Sequence, residues 1–284
     1  MAIETSSHEL SPQESPQLQR ILLLISYDGT DYSGFARQDG GIVTVAGTLE
    51  AAIRDIDPLA SHITCSSRTD AGVHARGQPI SFTTTRPLTS RGWVLALAQR
   101  VPASIGIMRA SKVRINFDPR KDPQWKRYRY RVFPSQVEDP FLSRVTWRVG
   151  NNLNLSLMRA EAASLLGEHD FQAFRSIHCY RTETTRRIDK VEVMPSPFDD
   201  RAIDIVVQGN RFMYNMVRII AGTLVDVARQ RREPGACARA ILSGNRGDLG
   251  MTAPPRGLTL EHVELRNWGN QPWPQPPPSP AESP

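Results

Sequence analysis

Cysteine is scarce in this sequence. There are three in 284 residues, Cys65, Cys179 and Cys237, and none belongs to a CxxC pair. That excludes a disulfide framework and a CxxC-based structural zinc site, and predicts a reducing, cytoplasmic setting. No apolar run approaches the ~20 residues of a membrane span. Residues 1–17 lack the basic-then-apolar order of a secretory signal. A P-loop, a dinucleotide fingerprint, HExxH and GxSxG are all missing. The expected chemistry therefore needs no metal, no cofactor, no redox step and no phosphoryl transfer.

Acidic residues are outnumbered, 29 to 35, for a formal net charge of +6. The ends hide part of this excess. Residues 1–17 carry Glu4, Glu9 and Glu14 with no Lys or Arg, and residues 267–284 carry only Glu282. Setting aside those four negative charges leaves +10 on residues 18–266. A body of that charge points to a polyanionic partner, nucleic acid first.

Four segments follow from composition. Residues 1–17 form a polar, acidic head, and residues 267–284, with seven prolines, form a tail. Both are expected to be disordered. Between them lie two halves, 18–125 and 126–266. In the first, residues 20–27 (RILLLISY) read as a strand and 48–56 as a helix capped by Thr48. Residues 62–66 and 78–83 read as strands, 90–99 as a helix and 105–113 as a strand. The second runs strand 126–133, helix 155–166, strands 184–194 and 202–209, helix 213–230 and strand 257–265. A short extra helix is expected near 236–242. Both halves read βαββαβ. The expected class is α+β, two ferredoxin-like halves whose antiparallel sheets join around one central cleft.

Chemistry concentrates in a few motifs. Residues 66–78, SSRTDAGVHARGQ, put Asp70 in a turn after a strand, with Arg68 two residues before it. An Asx-type turn with a solvated arginine is the structural alternative. His74, alone, reads more readily as a packed residue than as a catalyst. Residues 125–130, WKRYRY, lie on a strand, so Tyr128 and Tyr130 share one face and Arg127 and Arg129 the other. A tyrosine on a basic strand can stack on an unpaired base. Nearby Phe117, Arg120 and Lys121 (FDPRK) add to a run of nine basic residues from Arg109 to Arg131, against Asp118 and Asp122. That bias is expected to face a polyanion. Arg218 lies among apolar residues of NRFMYNMVRIIAGT and, if buried, needs an anionic partner. Leu258, after two prolines, is placed to line a pocket.

Taken together, the chain resembles the tRNA pseudouridine synthase A family from about residue 20 to 265. The motifs carrying the resemblance are YDGTDYSGF, SRTDAGVHARGQ, KRYRY, DFQAFR, NMVRIIAG and APPRGLTL, in that order. The resemblance implies a basic, RNA-binding cleft between the halves, a homodimer, and cofactor-free isomerisation of uridines at tRNA positions 38, 39 and 40. It implies Asp70 as the catalytic aspartate, Arg218 as its partner and Tyr128 as the aromatic on the target base. Arg68 is implied beside the RNA backbone and Leu258 against the base. Ala36 and Thr259 depart from the family's usual Gln and Tyr.

Overall fold

The computed structural model describes residues 17–176 and 182–266. The tail, the head up to residue 16, and Cys179 lie outside the described residues. Strand β1 (Gln19–Tyr27) is the apolar run of the sequence, and its Ile21, Leu23 and Ile25 are buried. Helix α1 (Val45–Ile56) buries Val45, Ala46, Leu49, Ala52 and Ile53, one helical stripe. Its cap is Thr44, whose hydroxyl accepts from Gly47 N over 3.1 Å, and not Thr48. A glycine and a valine in the first turn disguise the true start, and the cap hydrogen bond fixes it. Strands β2 (Thr64–Cys65) and β3 (His74–Thr84), helix α2 (Ser90–Ala98) and β4 (Ile105–Val113) complete the first half. Trp93 of α2 packs edge-on against Phe82 of β3, at 5.1 Å between ring centroids.

The second half begins with β5 (Pro123–Pro134) and β6 (Trp147–Val149). It continues through α3 (Leu155–Ala163), β7 (Gly167–Asp170), β8 (Thr185–Pro195) and β9 (Ile203–Gly209). Helices α4 (Met216–Ala228) and α5 (Ala236–Ser243) precede β10 (Leu258–Leu265). The two short strands β6 and β7 extend the expected pattern. Helix α4 starts three residues later than its apolar spacing predicts, because Asn215 before it has a left-handed backbone.

The ten strands among the described residues form one mixed sheet, β4-β1-β3-β10-β5-β9-β8-β7, with β2 on β3 and β6 on β5. The join is the informative part. β10 pairs antiparallel with β5 along its length, and parallel with β3 through Thr259–His74 and Leu260–Ala75. The expected antiparallel sheets are thus fused by a parallel seam, and β6 also runs parallel to β5. The sheet is mixed because the final strand must serve both neighbours. Register fixes the faces. Tyr128 sits opposite Leu260 and Val207, and Tyr130 opposite Leu258 and Ile205. All six are buried on one face. Arg127, Arg129 and Arg131 alternate onto the other.

Candidate active site

Asp70 sits in the turn between β2 and β3, and that turn is held on every side. Phe35 N donates to Thr69 O (3.0 Å) and Gly72 N to Tyr32 O (3.3 Å). The buried Tyr27 hydroxyl meets Thr69 Oγ1 at 2.7 Å. Gly29 lies so close to Val73 O that any side chain there would collide with it. The YDGTDYSGF motif is therefore a backbone cradle for the Asp70 turn. His74 is buried at the head of β3. Gly29 N donates to its Nδ1 (3.1 Å), and its Nε2 pairs with Arg256 O (3.0 Å). Its Nδ1 also lies 3.2 Å from Asp28 Oδ1, so His74 ties the first motif and the strap to the turn.

Arg218 reaches Asp70 from the first turn of α4. Its Nη1 donates to Asp70 Oδ2 (3.1 Å) and to Asn215 Oδ1 (2.8 Å), and its Nε donates to Ala253 O (2.7 Å). Both charged side chains are 15% exposed, shielded yet reachable. Burial pushes the Asp70 carboxyl above the usual aspartate range, opposed by the hydrogen bond and charge of Arg218. Ala253 belongs to a strap, residues 250–257, that lies against α4. Gly222 touches Met251 O so tightly that a Cβ there has no room. Ala253 N donates to Arg218 O (3.1 Å) and Gly250 N to Thr223 Oγ1 (3.0 Å). The strap also accepts the Tyr130 hydroxyl at Pro254 O (2.8 Å).

Tyr128 completes the cluster from the floor. Its hydroxyl makes a long 3.4 Å bond to Ser67 Oγ, and its ring stands edge-on to Phe212, centroids 5.2 Å apart. Burial pushes its pKa up to about 12, with the Asp70 charge adding to the rise, so it is a neutral phenol at pH 7. Lys126 Nζ donates to Ser66 O (2.6 Å) and Ser67 Oγ (2.7 Å) and so fixes the approach to Asp70. Arg68 is exposed and has no partner among the described residues. The positive charges of Arg68, Lys126 and Arg120 all bear on Cys65, whose thiol is nevertheless pushed up to about 11 by burial.

The structure thus brings Asp70, Arg218 and Tyr128 together. Leu258 is buried beside Tyr130 in the neighbouring row. Phe117 is 3% exposed and packs in the core. Arg120 is exposed but held by Asp118, at 2.8 Å, and Lys121 is exposed on the same turn. The structure divides the Arg109–Arg131 run, which the sequence reads as one surface facing a polyanion. Arg114 pairs with Asp122 at 3.3 Å. Arg129 lies between Asp204 and Glu261, and Arg131 pairs with Asp204 at 2.9 Å. Arg127 donates to Gln208. Four of the nine cations, Arg114, Arg120, Arg129 and Arg131, are thus paired with carboxylates, and for Arg129 and Arg131 those carboxylates lie far away in sequence. Sequence reasoning also passed over Asn215, Phe212 and Ser67. All three lie inside or beside motifs singled out above, and an asparagine immediately before a helix is itself a signal.

Residues 23–120 and 162–265 match the family described as tRNA pseudouridine synthase. A relative from Geotalea uraniireducens, called tRNA pseudouridine synthase A, is 38% identical over 248 residues, 87% of this chain and 99% of the relative. One of the same name from Geotalea daltonii is 39% identical over 246 residues, 87% and 99% of the two chains. One from Myxococcus xanthus, again of that name, is 37% identical over 250 residues, 88% and 93%. These matches run through both halves of the sheet and both sides of the Asp70–Arg218 pair, and the chain belongs to the tRNA pseudouridine synthase A family.

Proposed function

We propose that this chain isomerises uridine to pseudouridine in the anticodon arm of tRNA, at positions 38, 39 and 40, with Asp70 as the catalytic carboxylate. The observation that carries this is the pair itself: a largely shielded aspartate on a turn braced by the first motif, gripped by an arginine and floored by a tyrosine. The reaction breaks the N1–C1′ bond, turns the uracil and joins C5 to C1′. C5 loses a proton and N1 ends with one, so the atoms balance without a co-reactant. An ionised Asp70 supplies a nucleophile or a base in this sequence. Arg218 favours that ionised form. Tyr128 supplies the ring that stacks on the flipped base, and Leu258 packs near it.

The same strand order in each half, β4-β1-β3-β2 and β10-β5-β9-β8, supports reading the sheet as two ferredoxin-like units. The cleft between them takes the RNA, and Arg68, Arg120 and Lys121 meet its backbone. The enzyme works as a homodimer in the reducing cytoplasm, a reading supported by the family resemblance and by the free thiols of Cys65 and Cys237.

Incubation with uridine-labelled tRNA transcript, followed by nucleoside analysis, tests the activity. The wild type yields pseudouridine. Asp70→Asn keeps tRNA binding, which rests on cations and phosphates, and yields none under single-turnover conditions. A variant within about tenfold of wild type, a barrier change of only ~1.4 kcal/mol, would reduce Asp70 to a turn former.

A further inference from the structure

Asn215 stands directly before α4, where an asparagine ordinarily turns its side-chain oxygen onto the free N–H groups of the first turn. Here it makes no such bond. Its backbone is left-handed, φ 63° and ψ 0°, a conformation uncommon outside glycine and easiest for residues such as asparagine. Its Oδ1 accepts from Arg218 Nη1 over 2.8 Å instead. A guanidinium is planar, with its N–H groups in fixed directions. Held at Nε by Ala253 O and at Nη1 by Asn215 Oδ1, the Arg218 plane is set independently of Asp70.

We propose that Asn215 is a positioning residue for the isomerisation: its left-handed backbone and its Oδ1 aim the Arg218 guanidinium at the Asp70 carboxylate. This rests on Asp70 being the catalytic carboxylate. The charged and titratable groups around the pair come from five elements. Arg218 comes from α4, Tyr128, Tyr130 and Lys126 from β5, Cys65 from β2, Arg68 from the Asp70 turn and Arg256 from the strap. Arg218 is the group whose hydrogen bond and charge oppose the effect of burial on Asp70. A loosened Arg218 leaves that burial less opposed, so Asp70 holds its proton to higher pH.

Two variants separate backbone from side chain. Asn215→Gly keeps the left-handed turn and removes Oδ1. Asn215→Asp keeps an oxygen in the same place. Two quantities are measured across pH: the single-turnover rate and affinity on a tRNA transcript, and the titration of the Asp70 carboxyl carbon by NMR in the free protein, assigned with Asp70→Asn. In Asn215→Gly the plateau rate falls about tenfold or more, as small misplacements do, while affinity stays within about twofold. The Asp70 midpoint and the acid limb of the rate rise together by about half a pH unit or more. In Asn215→Asp the plateau rate returns to within about threefold of wild type. Its acid limb stays raised, because the added negative charge disfavours a second one. An Asp70 midpoint unmoved in Asn215→Gly overturns the proposal, and so does an Asn215→Asp plateau as slow as that of Asn215→Gly. A wild type that makes no pseudouridine sinks the reading of the site instead, since the NMR midpoint still reports on Asn215.

Discussion

The two faces of β5 carry residues that a sequence reader would assign to one task, and the structure divides them. Tyr128 and Tyr130 alternate with Arg127, Arg129 and Arg131 along the strand. The tyrosine face looks toward Asp70, Arg218 and the strap. The arginine face, basic in sequence, is closed off by Asp204, Glu261 and Gln208 from other strands. The difference teaches that a count of cations measures attraction to RNA only after internal partners are subtracted. The cations left without a partner among the described residues include Arg68 and Arg76, both exposed beside the Asp70 turn and on β3.

Breaking the tyrosine face at its charge pair has the largest expected effect. Arg218→Ala loses about 10²-fold or more in rate, in line with the loss of a positioned electrostatic partner. In the proposed reaction Asp70 acts ionised, and burial already raises its pKa. Activity is therefore lost as pH falls through that raised value, and without Arg218 the loss begins at higher pH. A pH–rate profile checks this, and an unchanged acid limb would separate the two residues. Arg129→Gln on the opposite face leaves tRNA affinity within about twofold but lowers stability by about 2 kcal/mol, since fully buried Asp204 loses one of its two arginine partners. Denaturant unfolding beside filter binding measures both, and a large drop in affinity would reopen the arginine face as an RNA surface.

Smaller changes sharpen the contrast. Tyr128→Phe removes a hydroxyl whose one bond is long. Stability and binding hold, and the rate drops about tenfold or less if the phenol handles a proton. A full wild-type rate would leave only the ring at work. Arg68→Gln leaves the melting temperature unchanged. It weakens tRNA binding about threefold and lowers the slope of log affinity against log salt by about one. A slope identical to wild type would show that Arg68 touches no phosphate.

Much of this was legible in the residues. The apolar run of β1 and the bounds of β4 can be read directly, and so can the need of Arg218 for an anionic partner on an otherwise apolar helix. Tyr128 and Tyr130 sharing a face follows from strand alternation alone. What escaped were features fixed by distant contacts. Asp204 and Glu261 lie 75 and 132 residues from Arg129, and no local pattern announces that they neutralise it. The cap at Thr44 was hidden by the glycine at Gly47. The late start of α4 was hidden because apolar spacing continues through a left-handed Asn215. The parallel seam was invisible because a strand's sequence does not name its second neighbour.

The seam also orders events during synthesis. Asp70 and Arg218 are 148 residues apart, and among the described residues β10, which joins β3 to β5, comes later in the chain than every other strand. While a nascent chain emerges, β1, β3 and β4 can already pair and present the Asp70 turn. Arg218 follows with α4, and the strap that supplies Ala253 O arrives only just ahead of β10. A partly made chain therefore displays the aspartate with no guanidinium to hold it ionised. The full set of contacts on the Arg218 guanidinium, Ala253 O included, therefore exists only once the strap has been made.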